Sequence, residues 1–494
     1  MSEYNLITIE EEDEFEDKLI VFKNENKPRE RIAYIWSVPA KGHSNPVLCF
    51  TNQLLLKLNE MKIDKIVFYS CSSFRESIIN LPNNLNSSQI EFRDYELKKY
   101  CGSDDFLKLI MNFDTKPGSL FRFFQCWENA IKIGSDFLFD KLIADLHKEK
   151  PVLVVYDQAL FFSKITLKLY SKLYSNEPQP LRCCYVTCFL CAKDIFPLWN
   201  DMFRTGMMGS MKHSVKNVLL TLKDFFTYTY KYYKTFWWDH GYSLYELIFD
   251  VDVPFAQDLM IDDSLNLIFV LPQIQPRIKF FQRENIKFVG PALDESVRLQ
   301  ISDTYSSLIN EFIAKNTNPI IYVSMGTVFN FENSDLFQVI VEACKSFLST
   351  HSVIVSTGDE KTYAKYSKSS QNNVIFVPHA PQIEILKRAH LFITHAGMNS
   401  VSEAIHYAVP LICIPLSGDQ NFVAWRVADE LGIGIRLSVN DSFTVDKVKI
   451  AIRKVLNDPF YCEQIAEFSL LSQKYSGPKF AVQHLINYVN DNVT

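Results

Sequence analysis

Residues 391–420, LFITHAGMNSVSEAIHYAVPLICIPLSGDQ, gather polar groups at the ends of two apolar runs. Leu391 to Thr394 reads as a strand, followed at once by His395, the turn-forming Gly397, and then Asn399 and Ser400 at the head of an amphipathic stretch. A helix that opens straight after a strand presents unpaired backbone N–H groups and the positive end of its dipole, a setting suited to a phosphate. His395, Asn399 and Ser400 add side-chain donors at that mouth. Glu403, one helical turn beyond Asn399, is spaced to accept hydrogen bonds from ribose hydroxyls. Asp419 and Gln420 come after the next apolar run with groups of the kind that hold sugar hydroxyls.

A second constellation lies far upstream. Gly42-His43-Ser44-Asn45-Pro46 comes directly after the first predicted strand and just ahead of the next helix, with Pro46 suited to a first helical turn, where its missing N–H costs nothing. An imidazole titrates near neutrality and is the obvious supplier of a general base. Asp157 ends the apolar run VLVVYD, and a carboxylate beside an imidazole fixes its tautomer and offsets the charge it gains. Taken alone, His43 also suits a capping or surface position and His395 a satisfied core position. His390 and His406 fit no functional position and are read as structural.

The elements that must position these groups come in two series. From Arg31 the runs IAYIWSV, KIVFYS, VLVVYD and RCCYVTCF alternate with helical periodicity, and from Pro319 a second series runs IIYVSMG, SVIVSTG, NVIFVP, LFITHAG and PLICIP. Short Val/Ile/Tyr-rich strands separated by amphipathic stretches predict parallel sheets wound with helices, with ligands outside the carboxyl ends of the strands. The expected organisation is an acidic, disordered leader over 1–30, an acceptor-binding domain over 31–275, a linker over 276–315, a second domain over 316–470, and a helix over 471–494 that packs back on the first domain. Residues 195–250 are dense in aromatics; they read either as helices on the first sheet or as the lining of a cleft for a lipophilic alcohol.

The block at 391–420 resembles the donor-binding signature of UDP-dependent glycosyltransferases, and is most similar to the soluble macrolide-type branch. The resemblance runs from Val289-Gly290-Pro291 through Val323-Ser324-Met325-Gly326-Thr327 and His379-Ala380-Pro381-Gln382 to Asp419-Gln420. So many ordered matches are specific where a single short motif is not. It implies an α/β fold of the GT-B type, two doubly wound Rossmann-like domains facing each other across a cleft. It implies that His395, Gly397, Asn399, Ser400 and the helix amides hold the diphosphate, with Gly326 and Thr327 nearby. His379 would stack on uracil, with Ala380 beside it among the donor-binding residues, Gln382 near the ribose and Glu403 on its hydroxyls, and Asp419 and Gln420 at the sugar. Gln at 420 leans towards glucose. His43 would be the general base, oriented by Asp157, in an inverting transfer of a hexose to a small lipophilic or phenolic hydroxyl. No metal, cofactor or protein partner is implied, the UDP-sugar being a co-substrate.

Composition bounds the alternatives. The 494 residues carry 51 Lys and Arg against 57 Asp and Glu, and the net charge of −6 gives no reason to expect nucleic acid or an anionic membrane as partner. The sequence has no signal pattern and no apolar run long enough to span a bilayer, so it departs from the animal members of the family and a cytoplasmic enzyme is expected. Of the 11 cysteines, Cys183, Cys184, Cys188 and Cys191 crowd together, but lacking a second Cys/His pair at finger spacing they are read as buried thiols rather than a zinc site. Three rivals stand beside this reading: a metal-dependent glycosyltransferase using Asp250 and Asp252, an oxidoreductase (disfavoured, since no Gly-x-Gly-x-x-Gly comes after a strand), and a nucleotide-sugar-binding scaffold without catalysis.

Overall fold

The computed structural model describes residues 29–85, 88–103, 109, 133, 137–160, 162–190, 263–297, 303–326, 334–370, 372–416, 419–439 and 443–492. Two parallel sheets organise them. The first comprises β1 (Ile32–Trp36), β2 (Lys65–Ser70), β3 (Ile90–Asp94), β4 (Leu153–Asp157), β5 (Leu181–Val186), β6 (Leu265–Ile268) and β7 (Ile286–Phe288), in the order β3-β2-β1-β4-β5-β6-β7. The second comprises β8 (Ile320–Ser324), β9 (Ser352–Ser356), β10 (Val374–Val377), β11 (Ala389–Thr394), β12 (Leu411–Cys413) and β13 (Gly434–Arg436), in the order β10-β9-β8-β11-β12-β13.

Every residue of β1, β4, β8 and β9 is buried. A strand covered on both faces has no solvent side to keep polar, which is why these segments read as unbroken apolar runs. In each sheet the strand order reverses once, between β1 and β4 and between β8 and β11, and such a reversal opens a crevice at the carboxyl ends of the strands.

Six helices carry the crevice residues or brace the sheets behind them: α1 (Lys41–Leu55), α2 (Gln382–Leu386), α3 (Met398–His406), α4 (Gln420–Ala424), α5 (Pro459–Ser472) and α6 (Pro478–Asn492). The start of α1 corrects the sequence reading. Ala40 is the extended residue that precedes the helix (φ −142°, ψ 137°), and its carbonyl accepts from Ser44 N at 2.7 Å. His43 is therefore the third residue of the helix rather than a residue ahead of it, and Pro46 lies inside it. The helix starts earlier because the chain leaves β1 at Trp36 and the Ala40 carbonyl already takes the amides of His43 and Ser44.

The stretch 276–315 is not linker throughout. Ile286, Lys287 and Phe288 pair with Asn266, Leu267 and Ile268, so the first sheet continues to Phe288, and Asp303–Lys315 is a helix. Beyond Phe288 the chain crosses to the second sheet, and it returns after α5. The two crossings touch. A Cβ on Gly290 (φ +83°) would fall 2.3 Å from Cβ of Tyr475, and one on Gly477 (φ +46°) would fall 2.0 Å from the Pro291 carbonyl oxygen. Both glycines combine positive φ with an approach too close for a Cβ. After the return, α6 buries Ala481, Val482, Leu485, Ile486 and Val489 in the same apolar cluster as Ala33 and Ile35 of β1. Among the described residues no helix is long and apolar enough to cross a membrane.

Candidate active site

On the first sheet, three consecutive groups reach the crevice from the carboxyl ends of β1, β4 and β5. His43 Nδ1 lies 3.0 Å from Oδ2 and 3.2 Å from Oδ1 of Asp157, whose side chain has no exposed surface. Asp157 Oδ1 also accepts the Ala159 N–H at 2.8 Å, which fixes the carboxylate from its own strand end. Thr187 Oγ1 stands 3.2 Å from the same His43 nitrogen. With Nδ1 committed inward, the ring geometry turns Nε2 outward, and the His43 side chain keeps 29% of its surface.

The charge balance on His43 is a contest. Burial is the largest influence and favours the neutral ring. The Asp157 charge, its hydrogen bond and the more distant Asp419 carboxylate act the other way, and together they raise the pKa above the ordinary histidine value. Asp419 belongs to the other sheet, so the two halves already share one electrostatic site.

On the second sheet, β11 ends at Thr394 and the chain turns through Ala396, a non-glycine residue at φ +63°. Such a conformation costs about 1 kcal/mol or more for a residue with a Cβ. The turn sets His395 between two glycines: a Cβ on Gly326 would fall 2.8 Å from the imidazole Cε1, and one on Gly397 would fall 2.5 Å from Nε2. Burial lowers the His395 pKa to about 4, opposed by the Ser324 backbone, so the ring is neutral at physiological pH and able to donate one hydrogen bond. Gly397 is the extended residue that precedes α3, and Met398, Asn399 and Ser400 form the first turn, so their amides open beside His395.

The remaining groups form a linked set behind this turn. Gln382, first residue of α2, donates through Nε2 to Glu403 Oε2 at 2.5 Å and to Ser400 Oγ at 3.2 Å, and accepts from Tyr322 OH at 3.3 Å. Glu403 is buried, with 4% of its surface exposed, and its carboxylate is aimed by the Gln382 amide. His379 and Ala380 come after β10; the His379 pKa is lowered, first by partial burial and then by the Lys41 ammonium of α1. Asp419 immediately precedes α4, and Gln420 Oε1 accepts the Leu416 N–H at 2.9 Å, which orients its amide. Thr327, Asp250, Asp252, Cys191 and the aromatic stretch 195–250 lie outside the described residues.

Contacts across the junction bring the two sets together. Asn399 Nδ2 donates to the Gly42 carbonyl at 2.5 Å, and Cys188 Sγ donates to Asp419 Oδ2 at 3.2 Å. Arg426, beyond α4, donates to the carbonyls of Ile274 at 3.0 Å and Gln273 at 3.2 Å. Among the described residues no group of His, Cys, Asp and Glu is arranged to hold a metal ion, and Cys183 and Cys184 are buried thiols outside any disulfide. Cys188, read from the sequence as a buried thiol, is only half-buried and bonds Asp419, while Thr187, Lys41 and the Gly42 carbonyl had no place in the sequence reading. Thr187 fell inside the predicted run RCCYVTCF, whereas β5 ends at Val186 and puts Thr187 at the same edge as Asp157. His390 Nδ1 accepts the Ile320 N–H, and His406 Nδ1 lies 3.1 Å from Ser472 Oγ, both within the scaffold.

This arrangement offers a base held by a buried carboxylate on one sheet and, on the other, a helix start with a neutral donor imidazole and aimed polar groups. Solved structures with the same architecture exist. The glycotransferase of kitacinnamycin superposes with a TM-score of 0.64 at 18% identity, covering 94% of this chain and 100% of its own. The calicheamicin glycosyltransferase CalG4 gives 0.63 at 17%, again covering 94% and 100%. These show the GT-B fold. In sequence, the uncharacterized UDP-glucosyltransferase YojK of Bacillus subtilis (strain 168) is 27% identical over 474 residues, 91% of this chain and 96% of that one. UDP-glucuronosyltransferase 3A1 of Mus musculus is 27% identical over 300 residues, 59% and 53% of the two chains. The model of the family described as UDP-glucoronosyl and UDP-glucosyl transferase matches residues 202–476, more than half of the chain. The chain belongs to that family and is a glycosyltransferase, moving sugar from a UDP-sugar donor.

Proposed function

We propose that the protein is an inverting, metal-independent transferase that moves a hexose, with glucose the favoured sugar, to a hydroxyl of a small lipophilic acceptor. The observation that carries this reading is the pairing of His43 Nδ1 with the buried Asp157 while the ring keeps an exposed edge. The acceptor hydroxyl would give its proton to His43 Nε2 as its oxygen attacks the anomeric carbon. The bond from that carbon to the diphosphate oxygen breaks on the opposite face, and UDP leaves as the anion. One displacement inverts the carbon and needs no sugar–enzyme intermediate.

On the leaving side, the amides at the start of α3, the neutral His395 and Asn399 would stabilise the charge that grows on the diphosphate. Gln382 and Glu403 support the ribose, His379 and Ala380 the uracil, and Asp419 and Gln420 the hexose hydroxyls. Gly326 would complete the wall near the phosphates, and Thr327 is assigned to the donor by the family resemblance alone. The preference for glucose rests on Gln420, and the acceptor class on the aromatic density of 195–250.

The test is a screen of purified protein with UDP-glucose, UDP-galactose, UDP-glucuronate and UDP-N-acetylglucosamine against a panel of phenols and lipophilic alcohols, with and without EDTA. Turnover with UDP-glucose that survives EDTA, and that His43→Ala abolishes while UDP affinity stays within a few-fold, is the expected result. Wild-type turnover by the His43→Ala protein would sink the mechanism. Failure with every donor would favour a binding scaffold.

A further inference from the structure

Pro46 lies inside α1, where a proline has no N–H to complete the helical ladder. The acceptor it leaves without that bond is the carbonyl four residues earlier, which belongs to Gly42. That carbonyl is the one that receives Asn399 Nδ2 from the first turn of α3. The exposed residue that carries the orphaned carbonyl is also the immediate neighbour of His43. Pro46 and Asn399 further line one small, partly open pocket together with Asn45, Glu403 and the crossing segment at Pro291 and Ala292.

We propose that Pro46 is a positioning residue: by freeing the Gly42 carbonyl for Asn399, it fastens the helical turn that carries His43 to the helix start that holds the donor. This rests on the reading of α3 as the diphosphate end of the site. The bridge uses one of the two hydrogens on Asn399 Nδ2, and leaves the second hydrogen and Oδ1 for the ligand. An in-line displacement needs base and leaving group held at a fixed separation, and these groups sit on different sheets. A bond from one sheet to the residue beside the base supplies that constraint directly. An N–H at position 46 would return the Gly42 carbonyl to its own helix and compete with the bridge.

The experiment compares wild type with Pro46→Ala, Pro46→Val, Asn399→Ala and the Pro46→Ala/Asn399→Ala double variant, reading UDP affinity by calorimetry and the split between KM for the donor and kcat. Both Pro46 replacements restore the N–H, and Val fills the volume of the ring. Each is expected to weaken UDP binding about five-fold, the scale of one hydrogen bond. The rise should appear in donor KM, with the pH profile of kcat unchanged because the His43–Asp157 pair is untouched. In the double variant the Pro46 replacement should add little to the Asn399 loss, because both changes break one contact. UDP affinity within two-fold of wild type in both Pro46 variants overturns the proposal, as do independent factors that simply multiply in the double variant. His43→Ala separates this outcome from failure of the catalytic reading, since it removes turnover and spares UDP affinity.

Discussion

His43 presents Nδ1 to Asp157 at 3.0 Å, and the carboxylate it faces is sealed from solvent while the ring is not. An acceptor-only partner fixes Nδ1 as the protonated nitrogen and leaves Nε2 as the lone-pair site. The pair thus sets the tautomer, and under the proposed mechanism it would also set the edge at which a proton arrives.

Asp157→Asn should report this in the rate profile. A base works only when neutral, so activity falls as pH drops through the His43 pKa. The Asp157 charge helps hold that pKa above the ordinary histidine value, and removing it should move the acid limb of kcat/KM to lower pH. The plateau should fall about a hundred-fold or more, because the amide no longer enforces the tautomer. Rate profiles of the two proteins with superimposed acid limbs would count against the pairing as the cause.

Stability should track pH in the opposite sense. His43 has a raised pKa in the folded state, so its pairing contributes in full below the unfolded histidine pKa and is lost as pH rises through the folded value. The advantage of wild type over His43→Gln in denaturant titration should shrink as pH rises from the ordinary histidine value through the higher folded-state pKa, as activity rises. His395 has the reverse sign. Its pKa is pushed down to about 4, so its contribution is present above the ordinary histidine value and declines as pH falls towards 4. A His43→Gln gap that stays constant or widens with rising pH would refute the assignment.

Gly397→Ala should damage donor binding without touching the base. The added methyl would fall 2.5 Å from His395 Nε2, and the ring must rotate away from the mouth of α3. UDP affinity is expected to fall about ten-fold, the loss of one strong donor, with the acid limb of the rate profile unmoved. Gly326→Ala meets the same ring and is also strained at φ +83°, so it should lose thermal stability as well. Wild-type UDP affinity in Gly397→Ala would show that the imidazole does not face the ligand.

Burial decided which elements were legible in the sequence. Strands such as IAYIW, LVVYD and IIYVS are covered on both faces and declare themselves as apolar runs. β3 reads IEFRD, an edge strand only half buried, with Arg93 ion-paired to Glu91 and Glu149, so its charges hid it. β13 is only three residues long, and β7 lay inside the stretch between the two strand series that was read as linker. The beginning of α1 was misjudged because Pro46 looks like a first-turn proline, whereas its missing bond is taken up from another sheet. Groups adjacent in sequence, such as His395 to Glu403, could be grouped by spacing alone. Asn399 with Gly42, and Cys188 with Asp419, are pairings that only tertiary folding creates, and no local pattern announces them.

The two crossings that meet at Gly290, Tyr475, Gly477 and Pro291 bear on how this enzyme would exchange parts with its relatives. A hybrid cut once, in the first crossing, would leave the first sheet covered by a foreign α6 and set a foreign residue against each glycine. A viable swap of the first sheet therefore takes two cuts, carrying α6 with that sheet and keeping both crossings from one parent. Modules in this chain are bounded by contact, not by sequence order.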